Sequence, residues 1–271
     1  MKKEVLTMEN KWLDFLQEVK ITKAATTHAL YSTALSHFKT GTSAEVLVFI
    51  EKAKLSDTSK KLYLNILGTA LEYYGVNDRN VARIIKNYRA NIPIEPCPSD
   101  SEMETIWNTL KTSRDRLIFS LMAYNGLRVS EVQALTIDSV IADNAILLEH
   151  TKGKQDSIVT LVHPRCIESL ADWLEQRPSV KGERGLFLTR YRKQMTLDGM
   201  KYAVKKWCTD LGLPYHPHSF RRYFANTLNK GGIPLQTISA AMRHKNIKTT
   251  MGYLNIGQYD VASALESVYK K

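Results

Sequence analysis

Apolar residues recur every three or four positions along most of this chain, which is the spacing of one helix face. Over residues 8–89 this pattern predicts four or five short helices. The clearest of them begins near Asp57 and ends at Gly75, since glycine often terminates helices. Its apolar face is formed by Leu64, Leu67, Leu71 and Tyr74. The first 90 residues therefore predict an all-helical module.

Three prolines, Pro93, Pro96 and Pro98, interrupt this pattern and favour an extended connector, because proline cannot continue a helix. The sequence thus predicts two domains, residues 1–90 and 99–271, joined by a linker at 91–98. Directly after the linker, Ser99 and Glu102 have the spacing of a helix cap, and the helix they open runs to about Leu110.

The second domain combines helices with a short region of strand-like patterning. Helices are predicted near 113–124, 164–175 and 196–211, and after Pro217. Apolar runs at 139–141, 145–148 and 157–162 are separated by polar turns and predict a small antiparallel sheet. Residues 259–271 form an amphipathic stripe that could pack on its own domain or on a neighbouring subunit. The predicted fold class is mainly α with a small antiparallel β-sheet.

Charge narrows the class of partner. The chain has 38 Lys and Arg against 27 Asp and Glu, a net charge of 38 − 27 = +11, and both predicted domains are basic. This balance indicates a polyanion such as nucleic acid or, alternatively, a surface tuned for solubility. Three scattered cysteines fit neither a zinc site nor a disulfide framework, and no apolar run has the length of a signal peptide or membrane span. We therefore expect a cytoplasmic protein.

Candidate chemistry is concentrated near the C-terminus. His218 and Arg221 are three residues apart in a predicted helix, so both side chains lie on one face. His244 and Tyr253 are nine apart and would lie on opposite sides of a continuous helix, so they can converge only if the helix breaks between them. Asn246 is a plausible place for that break. A histidine, an arginine and a tyrosine together can cut a phosphodiester.

Two further basic residues have alternative interpretations. Arg128 follows Asn125-Gly126 at a tight junction between two predicted helices, where it either forms a salt bridge with Glu131 or contacts a phosphate. Lys152 lies at the tip of a predicted hairpin, where it is either solvated or extends into a groove.

The order and spacing of these residues resemble the tyrosine recombinases, the class of the phage integrases and Xer proteins. Residues 126–132, Gly-Leu-Arg-Val-Ser-Glu-Val, are similar to the family's first arginine box, and His218 to Arg222 to its His-x-x-Arg box. Met242-Arg243-His244 is followed nine residues later by a tyrosine. The residues at the family's catalytic positions are Arg128, Lys152, His218, Arg221, His244 and Tyr253.

This resemblance covers nearly the whole chain and implies a helical core-binding domain followed by a mixed α/β catalytic domain. It implies that Tyr253 attacks DNA to form a 3′-phosphotyrosine, with His218 as its base and Lys152 as the acid for the leaving 5′ oxygen. The arginines and His244 would bind the phosphate, and no metal or nucleotide cofactor would be required. Expected partners are double-stranded DNA with a short inverted-repeat core site and further copies of the chain in a tetramer, in which the C-terminal helix docks on the adjacent subunit.

Two positions depart from the family pattern. Arg243 stands where the family usually has glycine, so the turn before His244 is less assured, and the extra cation could instead meet a phosphate. Arg222 occupies a position that is often histidine, which we expect to change packing more than chemistry. Lys154, Tyr223 and Tyr259 are weaker candidates for the lysine and tyrosine roles. A type IB topoisomerase and a non-catalytic DNA-binding or architectural protein are the alternative functions.

Overall fold

The structure is a computed structural model, which describes residues 12–91, 95–149, 156–244 and 250. The chain divides into two compact units between residues 94 and 95. Within the described residues, no helix is both long and apolar enough to cross a bilayer.

The N-terminal unit is helical, as its periodicity predicts. Its helix α4 begins after Ser56, whose side chain accepts a hydrogen bond from the backbone N–H of Ser59, and Gly75 follows it with a φ of 65°. Trp12, Phe15, Phe38 and Phe49 belong to a core shared by all of these helices. The helices within residues 12–91 are α1 (Leu13–Thr22), α2 (Ala25–Leu35), α3 (Ser43–Lys52), α4 (Asp57–Tyr73) and α5 (Arg79–Asn87).

The C-terminal unit combines helices with a small sheet, which confirms the predicted fold class. Its strands β1 (Val140–Ala142), β2 (Ala145–Leu148) and β3 (Ser157–Thr160) form an antiparallel sheet in chain order. Residues 150–155, between β2 and β3, lie outside the described part, as does the helix predicted over 259–271. The described helices of this unit are α6 (Asp100–Thr109), α7 (Ser113–Ala123), α8 (Val129–Ala134), α9 (Pro164–Gln176), α10 (Leu197–Thr209), α11 (Pro217–Lys230) and α12 (Leu235–Ala241).

Helix α7 is the centre of the second core. All of its residues from Leu117 to Ala123 are buried, and it packs against both α9 and α11. Local signals place its neighbour α6, because Ser99 and Glu102 form the capping box that the sequence predicts. The buried helix α7 therefore provides a rigid support for the turn at Gly126, which follows its C-terminal end.

The turn after α7 depends on Gly126. Its φ is 61°, which favours glycine, and a Cβ placed on it would lie 2.3 Å from Cδ1 of Phe224 on α11. Leu127 closes this turn by donating its N–H to the carbonyl of Leu121 at 3.0 Å. The absence of a side chain thus lets the α7–α8 junction, which carries Arg128, approach the helix that carries His218 and Arg221.

Gly126→Ala should lower the free energy of unfolding by about 2–5 kcal/mol, since it adds a clash to left-handed strain. Gly212→Ala is the matched control: its φ is 69°, but nothing lies within 4 Å of the added Cβ. For Gly212→Ala we expect the free energy of unfolding to fall by about 1–2 kcal/mol, from backbone strain alone. Urea unfolding of both variants measures the difference, and equal losses would contradict a close-approach role for Gly126.

Candidate active site

Helix α11 carries two of the predicted site residues. Pro217 occupies its first turn, where proline's missing N–H costs nothing, and His218 and Arg221 follow three residues apart as predicted. Their surroundings differ: His218 is exposed, whereas only 1% of the Arg221 side chain is accessible. A buried guanidinium must be held by acceptors, because a charge removed from water is costly unless it is paired.

Arg221 finds these acceptors on two other segments. Its Nη1 donates to the carbonyl of Gly126 and its Nη2 to the carbonyl of Met242. Nη2 also lies 3.0 Å from Nε2 of His244, and Nη1 lies 4.0 Å from Oε2 of Glu131. The buried arginine therefore ties α11 to the turn after α7 and to the segment after α12.

Arg128 forms the predicted ion pair with Glu131. It precedes the first residue of α8, its Nη1 lies 2.6 Å from Oε1 of Glu131, and its backbone N–H donates to Oε2 at 2.8 Å. The side chain nevertheless remains 36% exposed. Since the salt bridge orients the guanidinium without burying it, the two interpretations of Arg128 are compatible: it is braced by Glu131 and still accessible to a phosphate.

Glu131 is the shared counter-charge of the site. Besides Arg128, it contacts Nη2 of Arg243 at 2.9 Å and lies at the edge of ion-pair distance from Arg221. Burial alone would raise the pKa of Glu131, but the charge of Arg243 and the two hydrogen bonds from Arg128 lower it. Glu131 thus stays ionised and holds guanidinium groups from three separate segments.

His244 follows a tight turn, which forms although Arg243 stands where the family usually has glycine. The helix ends at Ala241, before His244, and Arg243 adopts a φ of 53°. The tight turn therefore forms with arginine in a left-handed conformation, and the extra cation contacts Glu131 in this structure. Asn246, where we predicted the break, lies outside the described residues.

The hydrogen bonds of His244 define its tautomer. Arginine has no lone pair, so Nε2 of His244 must accept from Arg221, and the proton lies on Nδ1, 2.8 Å from the hydroxyl of Thr250. Burial and the charges of Arg221, Arg128 and Arg243 lower the pKa of His244 to about 4. Thr250 was not among the residues predicted from the sequence. Its position three residues before Tyr253 was the feature that could have identified it.

His218 is also kept in its neutral form. Partial burial lowers the pKa of His218, and the charges of Arg221, His216 and Arg128 act in the same direction, against the opposing effect of Glu95. A neutral, exposed imidazole beside an arginine can accept a proton from a substrate or a side chain. These properties suit a general base.

The remaining predicted residues fall into two groups. Lys152 and Tyr253, with the weaker candidates Lys154 and Tyr259, lie outside the described residues. Tyr223 is described and is unsuited to act as a nucleophile, because burial and its hydrogen bond to Asp100 at 2.9 Å raise its pKa to about 12. Arg222, in the position that is often histidine, has 11% of its side chain exposed, and its Nη2 lies 3.6 Å from Oε2 of Glu95.

Comparison with known proteins identifies the class. The phage integrase family matches residues 99–258, more than half of the chain. Tyrosine recombinase XerC of Shewanella sp. (strain ANA-3) is 27% identical over 240 residues, which cover 84% of this chain and 79% of that protein. The chain therefore belongs to the phage integrase family.

Solved structures have the same fold at low sequence identity. The Tn1549 transposon integrase in complex with transposon right end DNA matches with a TM-score of 0.76 and 15% identity, over 97% of this chain and 99% of that one. A lambda integrase tetramer bound to a Holliday junction matches with a TM-score of 0.72 and 16% identity, over 91% and 77%. The fold is thus retained where most of the sequence has changed.

The tautomer of His244 can be measured by ¹⁵N nuclear magnetic resonance. We expect a neutral ring protonated on Nδ1 between about pH 5 and 8, whereas imidazoles of the denatured protein titrate near ~6.5. Because the pKa is lower in the folded state, the free energy of unfolding should fall as the pH drops from about 6.5 towards 4. His244→Gln assigns the signal and should reduce this dependence. A ring that titrates above pH 6, or carries its proton on Nε2, would contradict the arrangement.

Proposed function

We propose that this protein is a site-specific DNA recombinase that cleaves and rejoins DNA through a 3′-phosphotyrosine intermediate. Membership in the phage integrase family supports this function. The observation that carries it is the convergence of two guanidinium groups from separate segments: Arg128 bonds to the carboxylate of Glu131, Arg221 bonds to the carbonyl of Gly126, and the ring of His244 accepts from Arg221. Such a cluster of fixed cations is what a phosphodiester needs, since its transition state gains negative charge.

The arginines bind the non-bridging oxygens of the scissile phosphate. Guanidinium groups offer planar pairs of donors and stay charged at any working pH, which suits both Arg128 and Arg221. Arg128 is the accessible member and Arg221 the buried one, so a phosphate meets Arg128 first. Without DNA, Nε2 of His244 accepts a hydrogen bond from Arg221. When DNA binds, a phosphate oxygen replaces Nε2 as the acceptor of this bond. The imidazole proton then moves to the nitrogen that faces the phosphate, so His244 also binds the phosphate.

Cleavage is a transfer of the phosphoryl group to Tyr253. The phenol oxygen forms a bond to phosphorus, its proton passes to neutral His218, and the bond to the 5′ oxygen breaks. Lys152 supplies a proton to that oxygen, so the leaving group departs as a hydroxyl. A 5′-hydroxyl from another strand reverses each step and releases the tyrosine. The bond energy is retained in the phosphotyrosine, so no nucleotide cofactor is consumed.

The proposed partners follow from charge and from the relatives. The net charge of +11 favours a polyanion, and related integrases are solved on DNA, one of them as a tetramer on a Holliday junction. We propose a tetramer on two duplexes, each with a short inverted-repeat core site. We also propose that the protein acts in the cytoplasm.

An apolar groove in the C-terminal unit supports exchange of the C-terminal helix between subunits. The groove has a volume of about 930 Å³ and lies between the sheet, α11 and α12. Two exposed apolar residues of its lining, Ile158 and Val162, are 66% and 79% accessible. We propose that the helix over 259–271 of an adjacent copy inserts its apolar stripe there. That stripe comprises Val261, Leu265, Val268 and Tyr269.

Ile158→Glu should weaken assembly of the tetramer on DNA while leaving binding to a single duplex nearly unchanged, because a charge in the groove opposes the apolar stripe. Ile141→Glu is the control: Ile141 is 48% exposed on the same sheet but does not line the groove. Analytical ultracentrifugation with DNA measures assembly. Truncation after Gln258 should reproduce the defect, and normal recombination by the truncated protein would refute the exchange.

Covalent capture tests the function directly. Wild type and Tyr253→Phe are incubated with fragmented genomic DNA in EDTA and denatured with SDS, and the DNA that remains attached to protein is sequenced. We expect an adduct only with wild type, concentrated at one short inverted repeat. Scattered adducts would indicate a topoisomerase, and binding without any adduct would favour a non-catalytic DNA-binding protein.

A further inference from the structure

Arg243 has an unusual backbone conformation directly beside the site. With Arg192, it is one of two residues other than glycine that have a positive φ within the described residues, at 53° and 60°. An L side chain adopts this region at a cost that glycine does not incur. A side chain kept at such a position is expected to compensate through its own contacts.

The guanidinium of Arg243 makes these contacts. Only 13% of its side chain is exposed, and Nη1 donates to the carbonyl of Ala241 at 2.9 Å. Its Nη2 contacts Oε2 of Glu131 at 2.9 Å and the carbonyl of Gly126 at 3.3 Å. The side chain is therefore directed into the protein, although it belongs to a surface turn.

The two acceptors of Nη2 are those that hold the phosphate-binding arginines. Oε1 of Glu131 accepts from Arg128, and the carbonyl of Gly126 accepts from Arg221. Arg243 thus contacts both anchors, and it is itself the residue directly before His244. A shift of Glu131 or Gly126 would move both arginines together.

We propose that Arg243 is a positioning residue for DNA cleavage, which fixes Glu131 and the Gly126 carbonyl so that Arg128 and Arg221 present their donors to the phosphate in one geometry. This inference rests on the proposed function. Without Arg243, Glu131 has Arg128 as its main counter-charge, so this ion pair tightens or rotates and the guanidinium no longer faces the phosphate correctly. Misplacement by about 1 Å can slow a reaction by about 100-fold.

The deciding variant is Arg243→Gly. If the side chain served only the turn, glycine would be as good or better, because it adopts a positive φ without strain. Under our proposal, single-turnover adduct formation at saturating protein falls by about 10- to 100-fold, whereas DNA affinity changes by less than about threefold. The substrate is a nicked duplex oligonucleotide that carries the captured site, and fluorescence anisotropy measures its affinity.

Arg192→Gly is the matched control. It makes the same substitution at nearly the same φ, but Arg192 is exposed, and its described backbone hydrogen bond to Thr189 is unaffected. Its rate of adduct formation should equal that of wild type. Arg243→Lys, which keeps the charge but loses the planar set of guanidinium donors, should give an intermediate rate. Thermal melting of each variant verifies that it is folded.

Glu131→Gln tests whether Arg243 acts through the carboxylate. In the double variant with Arg243→Gly, the loss of rate should be smaller than the product of the two single losses, because both changes remove the same ion pair, whereas fully multiplicative losses would refute the route through Glu131. Equal rates for wild type and Arg243→Gly would overturn the inference. If wild type forms no adduct, the proposed function fails, and the ¹⁵N signal of the Arg128 guanidinium still decides: it should broaden in Arg243→Gly and not in Arg192→Gly.

Discussion

The ionised carboxylate of Glu131 is the constraint on which the site depends. Three guanidinium groups, from the residue before α8, from α11 and from the turn after α12, lie within 4.0 Å of its oxygens. One of them, Arg221, is almost fully buried. Removal of the carboxylate would leave that charge without its nearby counter-charge, among neutral acceptors such as the carbonyls of Gly126 and Met242 and the ring of His244, and uncompensated buried charges are strongly destabilising. Glu131 therefore links the stability of this region to the arrangement of its cations.

Gly126 provides the second anchor, through its backbone rather than a side chain. Its carbonyl accepts from Arg221 and Arg243, and its missing Cβ leaves room for Phe224. A single turn thus sets the spacing between α7 and α11 and supplies an acceptor for two arginines. This explains in physical terms why Gly126 and Arg128 belong to one short sequence motif.

Local signals predicted most of the fold. The capping box at Ser99, the terminating Gly75 and the helix after Pro217 all form as expected, because caps and periodicity act within a few residues. The contacts of Arg243 with Glu131, and of Thr250 with His244, could not be predicted. They join residues whose proximity is created by packing, and in the first pair the partners are 112 positions apart.

The break after α12 shows how a local rule can fail. Glycine is the usual residue of a left-handed turn, so an arginine at the position where the family usually has glycine made the turn before His244 less assured. Arg243 nevertheless adopts the left-handed conformation, and its guanidinium forms an ion pair with the mostly buried carboxylate of Glu131. Tertiary electrostatics outweigh backbone preference here, and no window of neighbouring residues contains that information.

The charge balance explains how such a site exists before DNA arrives. Three arginines share one carboxylate, so the cluster has an excess of positive charge, and a protonated His244 would add to it. The lowered pKa of His244 keeps its ring neutral. The carbonyl groups of Gly126 and Met242 accept hydrogen bonds from the guanidinium of Arg221. Under the proposed function, a bound phosphate supplies the missing negative charge and replaces Nε2 of His244 as an acceptor of Arg221. The proposed affinity for a phosphodiester would therefore be a consequence of the same buried contacts that hold this part of the C-terminal unit together.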